Sequence, residues 1–123
     1  MAMSDAGSKR GESGSVRRLL DALSEETNRT ILSELDEPTS VAELVEECDI
    51  PMSTVYRRLD TLEDMDLVTE HVAVDAERGR YRLYERNVRR VTITVNEDGR
   101  LGTRVERPAG NPDETVTWRP DGE

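Results

Sequence analysis

The chain is 123 residues long, which favours a single domain, and it is strongly acidic, with 27 acidic side chains, 17 basic ones and a net charge of -10. No stretch approaches the ~20 consecutive apolar residues of a membrane span, and the first residues lack the apolar core of a signal peptide. The single cysteine, Cys48, excludes a disulfide scaffold. We therefore expect a soluble, cytoplasmic protein that makes no membrane contact and is held together by core packing.

The types of charged and aromatic residues indicate the salt concentration in which this protein works. Sixteen of the 17 basic residues are arginine, Lys9 is the one lysine, and phenylalanine is absent. In molar salt the Debye length falls to ~3 Å, so the charges of an acidic surface no longer repel each other strongly. The composition is similar to that of proteins from extreme halophiles, and the alternative is an ordinary acidic bacterial protein. K+ or Na+ ions are candidate ligands of the acidic surface.

Apolar residues are concentrated between residues 16 and 107, and this range is the predicted domain. Residues 1–15 are rich in serine, glycine and aspartate, which predicts a disordered N-terminal arm. Residues 108–123 contain three prolines and predict a flexible tail. Trp118 in this tail is expected to be exposed to solvent, with docking on the domain as the alternative.

Helical periodicity in the first half of the domain predicts three or so helices. Ser24 and Ser40 are the expected N-caps of the second and third helices, and Ser40 can form a capping box with Glu43. The last helix, residues 52–65, follows a break at Pro51. The apolar positions of the helix faces are Val16, Leu19, Leu20, Leu23, Ile31, Leu32, Leu35, Val41, Leu44, Val45, Cys48, Met52, Val55, Leu59 and Leu62.

Two β-hairpins are predicted after Leu67, because the apolar period changes there from helical to two. The first hairpin occupies residues 68–86 and turns near Gly79, and the second occupies residues 88–107 and turns at residues 96–99. Short helices followed by a hairpin indicate an α+β fold, a winged helix-turn-helix domain with a further C-terminal hairpin. In such a domain the last helix enters the DNA major groove, and the first hairpin is the wing.

Four segments carry a family resemblance: residues 22–32 (ALSEETNRTIL), 40–44 (SVAEL), 53–63 (STVYRRLDTLE) and 67–68 (LV). They resemble ArsR-like winged-helix transcriptional regulators of the kind abundant in haloarchaea. The resemblance implies a fold that binds double-stranded DNA, usually as a homodimer. Metal-sensing members use a cysteine cluster or histidine and carboxylate ligands, whereas this chain has one cysteine and one histidine. No metal site and no cofactor are therefore expected.

The predicted recognition helix, residues 52–65, has side chains suited to reading DNA on the face opposite its apolar residues. Arg57 can donate two parallel hydrogen bonds to guanine, and Ser53 can bond a phosphate at the helix start. Asp60 and Asp64 share this face and would repel phosphate, which restricts close approach to the N-terminal half of the helix. The candidate DNA-binding residues are Ser40, Ser53, Thr54, Tyr56, Arg57, Arg58, Thr61, Arg78, Arg80 and Arg82.

The distribution of charge supports the same hypothesis. Residues 1–70 have a net charge of -10, whereas residues 78–90 contain six arginines and one glutamate. A basic wing on an acidic body is typical of a nucleic-acid contact, and the alternative is a solvated face paired with acids on neighbouring strands. Arg86, Arg89 and Arg90 lie at the base of the hairpin, where salt bridges within the chain or across a dimer are expected.

The remaining reactive residues favour structural roles. We expect Cys48 to be a small buried hydrophobe rather than a redox switch, and His71 to be structural or to contact phosphate rather than to sense pH. Met52 and Met65 are expected in the core. With no nucleophile motif and no glycine-rich phosphate loop, the chain is predicted not to be an enzyme.

The sequence therefore predicts a sequence-specific DNA-binding transcriptional regulator, a dimer adapted to high salt. Helix 52–65 would read the major groove, and wing 68–86 would contact the flanking DNA. The first helix and the second hairpin are the expected dimer contacts. The alternative is a winged-helix module that binds another protein of a transcription-related complex without reading DNA.

Overall fold

The computed structural model describes residues 8–108 and 114–118, and these form an α+β winged helix-turn-helix fold. The helices in this part of the chain are α1 (Ser8–Ser24), α2 (Glu26–Glu34), α3 (Val41–Cys48) and α4 (Met52–Asp64). The strands are β1 (Val68–Asp75), β2 (Gly79–Arg86), β3 (Arg90–Val95), β4 (Leu101–Glu106) and β5 (Glu114–Trp118). The described residues divide into two compact units, Ala22–Asn87 and the segments on either side of it.

The core of the unit Ala22–Asn87 consists of aliphatic side chains from α2, α3 and α4. Their spacing in the sequence places them on one face of each helix, and burying each one stabilises the fold by about 1.5–3 kcal/mol. On α4 the buried residues are Val55, Leu59 and Leu62. The other side chains with almost no exposure are Ile31, Leu35, Leu44 and Leu67. Burial of the apolar face of α4 determines which of its residues face solvent.

Local hydrogen bonds set both ends of α3. The Ser40 hydroxyl accepts a hydrogen bond from the backbone N–H of Glu43 at 3.2 Å, and the Ser40 N–H donates to the Glu43 carboxylate at 2.9 Å. This confirms the predicted capping box. Asp49, at the C-terminal end, takes the left-handed conformation with φ 56, which aspartate tolerates better than most residues. The chain then reaches Pro51 and begins α4.

The wing, β1 and β2, is a regular antiparallel hairpin with Asp75 opposite Gly79. The Asp75 carboxylate accepts hydrogen bonds from the N–H groups of Glu77 and Arg78, at 2.7 and 3.3 Å, and so closes the turn. Gly79, the first residue of β2 after the three-residue turn, takes a φ of 72, a left-handed conformation that glycine adopts without strain. The predicted hairpin at residues 68–86 is confirmed.

Backbone hydrogen bonds attach the wing to the helices. Thr39, just before α3, exchanges two hydrogen bonds with Tyr84 of β2, at 2.9 and 2.8 Å. At the base of the wing, the N–H of Arg86 donates to the Leu35 carbonyl at 2.7 Å, and the N–H of Asn87 donates to the Leu67 carbonyl at 2.8 Å. These bonds fix the wing relative to α3 and α4.

The second sheet has the strand order β3-β4-β5, with β4 in the centre. Arg89 and Arg90 lie 3.2 and 3.7 Å from carboxylate oxygens of Glu106, as expected for salt bridges at this position. Arg86 differs from the prediction, because its guanidinium donates to the Leu32 carbonyl at 3.0 Å. Only the backbone of Trp118 is described, so its predicted exposure lies outside the described side chains.

The structure differs from the sequence prediction at both flanks of the domain. Helix α1 begins at Ser8, inside the segment predicted to be an arm, since a helix once nucleated extends by one hydrogen bond per residue. Strand β5 lies in the predicted tail, where it pairs with β4 and covers an edge of that strand. Among the described helices, none is long and apolar enough to cross a membrane.

Two local predictions are wrong. Ser24 is the last residue of α1, and Glu25 occupies the N-cap position of α2 without a side-chain capping bond. Met52 was expected in the core but is 50% exposed, because it precedes Val55, the first buried residue of α4. Both errors lie at the end of a helix, Ser24 at the end of α1 and Met52 at the start of α4, where sequence periodicity is least informative.

The capping box predicts the effect of substituting Ser40. The change Ser40→Ala removes the acceptor for the Glu43 N–H, and we expect the free energy of unfolding to fall by about 1 kcal/mol. Urea denaturation followed by circular dichroism measures the loss. Ser53→Ala, an exposed serine of α4, is the control and should change stability by less than about 0.5 kcal/mol. Equal losses in the two variants would contradict a capping role.

Candidate nucleic-acid interface

Helix α4 presents a polar face to solvent, as the sequence predicted. Ser53, Arg57 and Thr61 are exposed, and Tyr56 is 45% exposed. Thr54 is half-buried at the edge of this face. The Thr61 hydroxyl donates to the backbone carbonyl of Arg57 at 3.2 Å, and this bond does not involve the guanidinium of Arg57.

The guanidinium of Arg57 is available to a ligand. Within the described part of the chain, no carboxylate forms an ion pair with it. Its five N–H donors have a fixed geometry that matches the two acceptors on the major-groove edge of guanine. Arg57 therefore combines exposure, charge and the geometry needed to recognise a base.

Arg58 and Ser40 both have partners within the protein, and their role as DNA contacts stays a prediction. Arg58 is half-buried, and its Nη2 lies 3.5 Å from the Glu25 carboxylate, so it links α4 to the start of α2. Arg58 lies three residues after the buried Val55 and four before the buried Leu62, which places it beside the buried face of α4. The hydroxyl of Ser40 bonds Glu43 both as donor and as acceptor.

The three arginines of the wing that are candidate DNA contacts have different surroundings. Arg78 lies over the ring of Tyr81, 4.0 Å from its centroid, in a cation–π contact. Arg80 is exposed, and among the described residues no carboxylate pairs with it. Arg82 binds Glu70 across the wing at 2.9 Å, so part of its charge is neutralised. Arg80 is thus the wing cation most free to contact a phosphate.

Carboxylates make the C-terminal half of α4 and the adjacent wing negative. Asp60 and Asp64 are exposed on α4, and Glu63 lies at its edge. Burial, followed by the charges of Glu70 and Asp60, raises the pKa of Glu63. An anionic ligand is therefore repelled from this half of α4, and only its first turns offer a surface suited to phosphate.

Two further polar contacts were not predicted, one between Arg82 and Tyr84 and one between His71 and Glu85. The hydrogen bond with Tyr84, followed by the charge of Glu70, raises the pKa of Arg82. Burial raises the pKa of Tyr84. His71 Nε2 lies 2.9 Å from the Glu85 carboxylate on the outer side of the wing. In the wing, Glu70 pairs with Tyr84, and Arg82 lies two positions before Tyr84 on the same strand. The sequence alone does not determine this register.

Cys48 is half-buried rather than buried, as its position at the end of α3 allows. Burial, followed by the charges of Glu34 and Glu47, raises the pKa of its thiol. A raised pKa lowers the thiolate fraction at neutral pH and with it the reactivity.

The comparison with protein families points to the same part of the chain. A family model described as a helix-turn-helix domain matches residues 16–71, from α1 into the first strand of the wing. No curated protein matches the chain. The matched segment includes α2, α3 and the whole of α4, so the similarity covers the exposed face described above. The family match and the observed fold agree that this segment has the arrangement of a helix-turn-helix domain.

Proposed function

We propose that this protein is a sequence-specific DNA-binding transcriptional regulator. In this proposal the first turns of α4 enter the major groove, and the wing contacts the flanking DNA. The observation that carries the proposal is the division of α4 into a fully buried face, with Val55 and Leu59, and an exposed face with Arg57. A rigidly held helix with a free arginine is what base recognition requires.

Four side chains in the first turns of α4 and one of the wing have a task in this proposal. Arg57 donates two hydrogen bonds to guanine, and Ser53 and Thr54, at the helix start, bond phosphate oxygens. Tyr56 stacks on a sugar or reaches a phosphate. Arg80 on the wing contacts the backbone of the flanking DNA. These tasks separate base reading by α4 from positioning by the wing.

Adaptation to high salt belongs to this proposal, as does assignment to ArsR-like regulators of the haloarchaeal type, located in the cytoplasm. The net charge of -10 and the near absence of lysine support it. In molar KCl, the release of counterions from phosphates gains little free energy, so binding depends on hydrogen bonds and apolar contacts. Asp60 and Asp64 lie on the same helix as Arg57, where K+ or Na+ can bridge carboxylates to phosphate.

A homodimer is part of the proposed mechanism, because two-fold symmetry lets two recognition helices read two half-sites about 34 Å apart. The proposed contacts are α1 and the hairpin of β3 and β4. Strand β3 supports this choice, since it is an edge strand of its sheet and exposes Ile93 and Val95. Pairing of two edges or packing of these side chains would remove apolar area from water.

A second function is docking to another protein without reading DNA. The exposed apolar residues Val72 and Val74 on the wing favour it, since Val74 is 78% exposed. The two functions make opposite demands on Arg57. A regulator needs its guanidinium, whereas a docking wing does not.

Substitution of Arg57 tests DNA reading. A duplex is first enriched from a random library with the wild-type protein in molar KCl. For Arg57→Ala we expect a loss of about 1–3 kcal/mol in binding free energy and relaxed preference at one base pair. Fluorescence anisotropy measures the affinity. Arg29→Ala removes the same charge from α2 and should retain near wild-type affinity. Unchanged binding by Arg57→Ala, or no enriched sequence at all, would favour the docking function.

The salt dependence of DNA binding tests the high-salt proposal. Between about 0.1 and 3 M KCl we expect the affinity to stay level or rise, because cations screen or bridge the acidic face beside Arg57. The double variant Asp60→Asn, Asp64→Asn should bind more tightly at low salt and lose affinity as KCl rises, as ordinary DNA-binding proteins do. A steep decline with the wild-type protein would contradict the proposal.

Sedimentation equilibrium in molar KCl tests the dimer. We expect a mass of twice the 13.9 kDa monomer. Ile93→Glu should produce a monomer, because it places a charge on the exposed edge strand, whereas Ala76→Glu at the exposed wing turn should stay dimeric. A monomeric wild-type protein would be decisive against this interface.

A further inference from the structure

A cavity of about 350 Å³ lies within the unit Ala22–Asn87, where the starts of α3 and α4 meet the wing. All three tyrosines of the chain line it: Tyr56 from α4, and Tyr81 and Tyr84 from β2. The chain contains one other aromatic residue, Trp118, and no phenylalanine. An aromatic-poor chain has thus placed its tyrosines, from separate elements, around one space.

The charged side chains that line this cavity are basic, although the chain as a whole is acidic. Arg78 and Arg82 contribute to the lining, and no acidic residue does so within the described part of the chain. The carboxylates that approach these arginines, Asp75 at 4.0 Å and Glu70 at 2.9 Å, are not among the lining residues. In a chain with 27 acidic side chains, this lining favours an anionic occupant.

The rest of the lining is suited to a small organic molecule. Met52 and Val41 provide apolar surface, and half of Met52 is exposed to this side of α4 rather than packed in the core. A methionine adapts its shape to a ligand at little cost. The volume lies in the range of about 300–1,000 Å³ for small-molecule sites, which are mostly apolar and aromatic with a few polar groups.

We propose that this cavity binds a small aromatic anion, a planar ring that carries a carboxylate or a phosphate. The ring packs among the tyrosines and Met52, and the anionic group accepts hydrogen bonds from Arg78 and Arg82. Two sources share this chemistry, an aromatic carboxylate and a mononucleotide.

Occupancy of the cavity is coupled to DNA binding. This step rests on the proposed function, because Tyr56, Arg78 and Arg82 are also candidate DNA contacts. A ligand on these residues excludes DNA from the same side chains, so it acts as an effector that releases DNA. Binding of the anion and of DNA is therefore mutually antagonistic by the same factor.

Nuclear magnetic resonance without DNA tests the site directly. The ¹⁵N-labelled full chain is titrated with benzoate and with adenosine 5′-monophosphate at constant molar KCl. Benzyl alcohol, which lacks the charge, and inorganic phosphate, which lacks the ring, are the matched controls. We expect saturable shifts around Tyr56 and Tyr81 with at least one anionic aromatic probe and weaker binding of both controls. The probe that binds identifies the carboxylate or the nucleotide as the source.

Variants separate this site from nonspecific binding. Arg78→Gln should weaken the probe about tenfold, because it removes a charged hydrogen-bond donor. Arg29→Gln removes the same charge from α2 and should leave probe binding unchanged. Absence of saturable shifts, equal effects of the two variants, or equal binding of benzyl alcohol or phosphate would overturn the proposal.

A competition experiment then tests the coupling. We expect the bound probe to release the enriched duplex from the wild-type protein. For Arg78→Gln, we expect release to need a higher probe concentration, after correction for the DNA affinity of the variant. Probe binding without any DNA binding would remove the proposed regulator but retain the site. DNA binding without probe binding would remove the site and leave the regulator.

Discussion

Burial of the apolar face of α4 is the interaction on which the exposed face of this helix depends. Val55, Leu59 and Leu62 are excluded from water, and they fix the rotation of the helix about its axis. That rotation leaves Arg57 pointing away from the protein. Because the burial free energy is several kcal/mol in total, packing on the opposite side of the helix holds the exposed face in place.

The position of the wing depends on backbone bonds more than on side chains. The bridge between Thr39 and Tyr84 joins the segment before α3 to β2, and the capping box begins α3 directly after it. Since α3 and the wing share this junction, the N-terminal ends of α3 and α4 lie beside β2. The cavity with its tyrosines and arginines arises at this meeting point.

Electrostatics divides the surface of the unit Ala22–Asn87. Arg58 and Arg82 neutralise carboxylates within the chain, whereas Arg57 and Arg80 remain available. Asp60 and Asp64 keep the end of α4 negative. The charges of Arg57 and Arg80 thus remain available in a chain whose net charge is -10.

The order of helices and hairpins, the capping box and the exposed face of α4 follow from the sequence, because periodicity and capping depend on residues a few positions apart. The strand in the predicted tail does not, since β5 forms only by pairing with β4. The partners of the arginines were also decided by tertiary structure. Glu25 and Arg58 meet across two helices, and Glu70 and Arg82 meet through the register of the wing. Such contacts join residues far apart in the chain, so no local pattern encodes them.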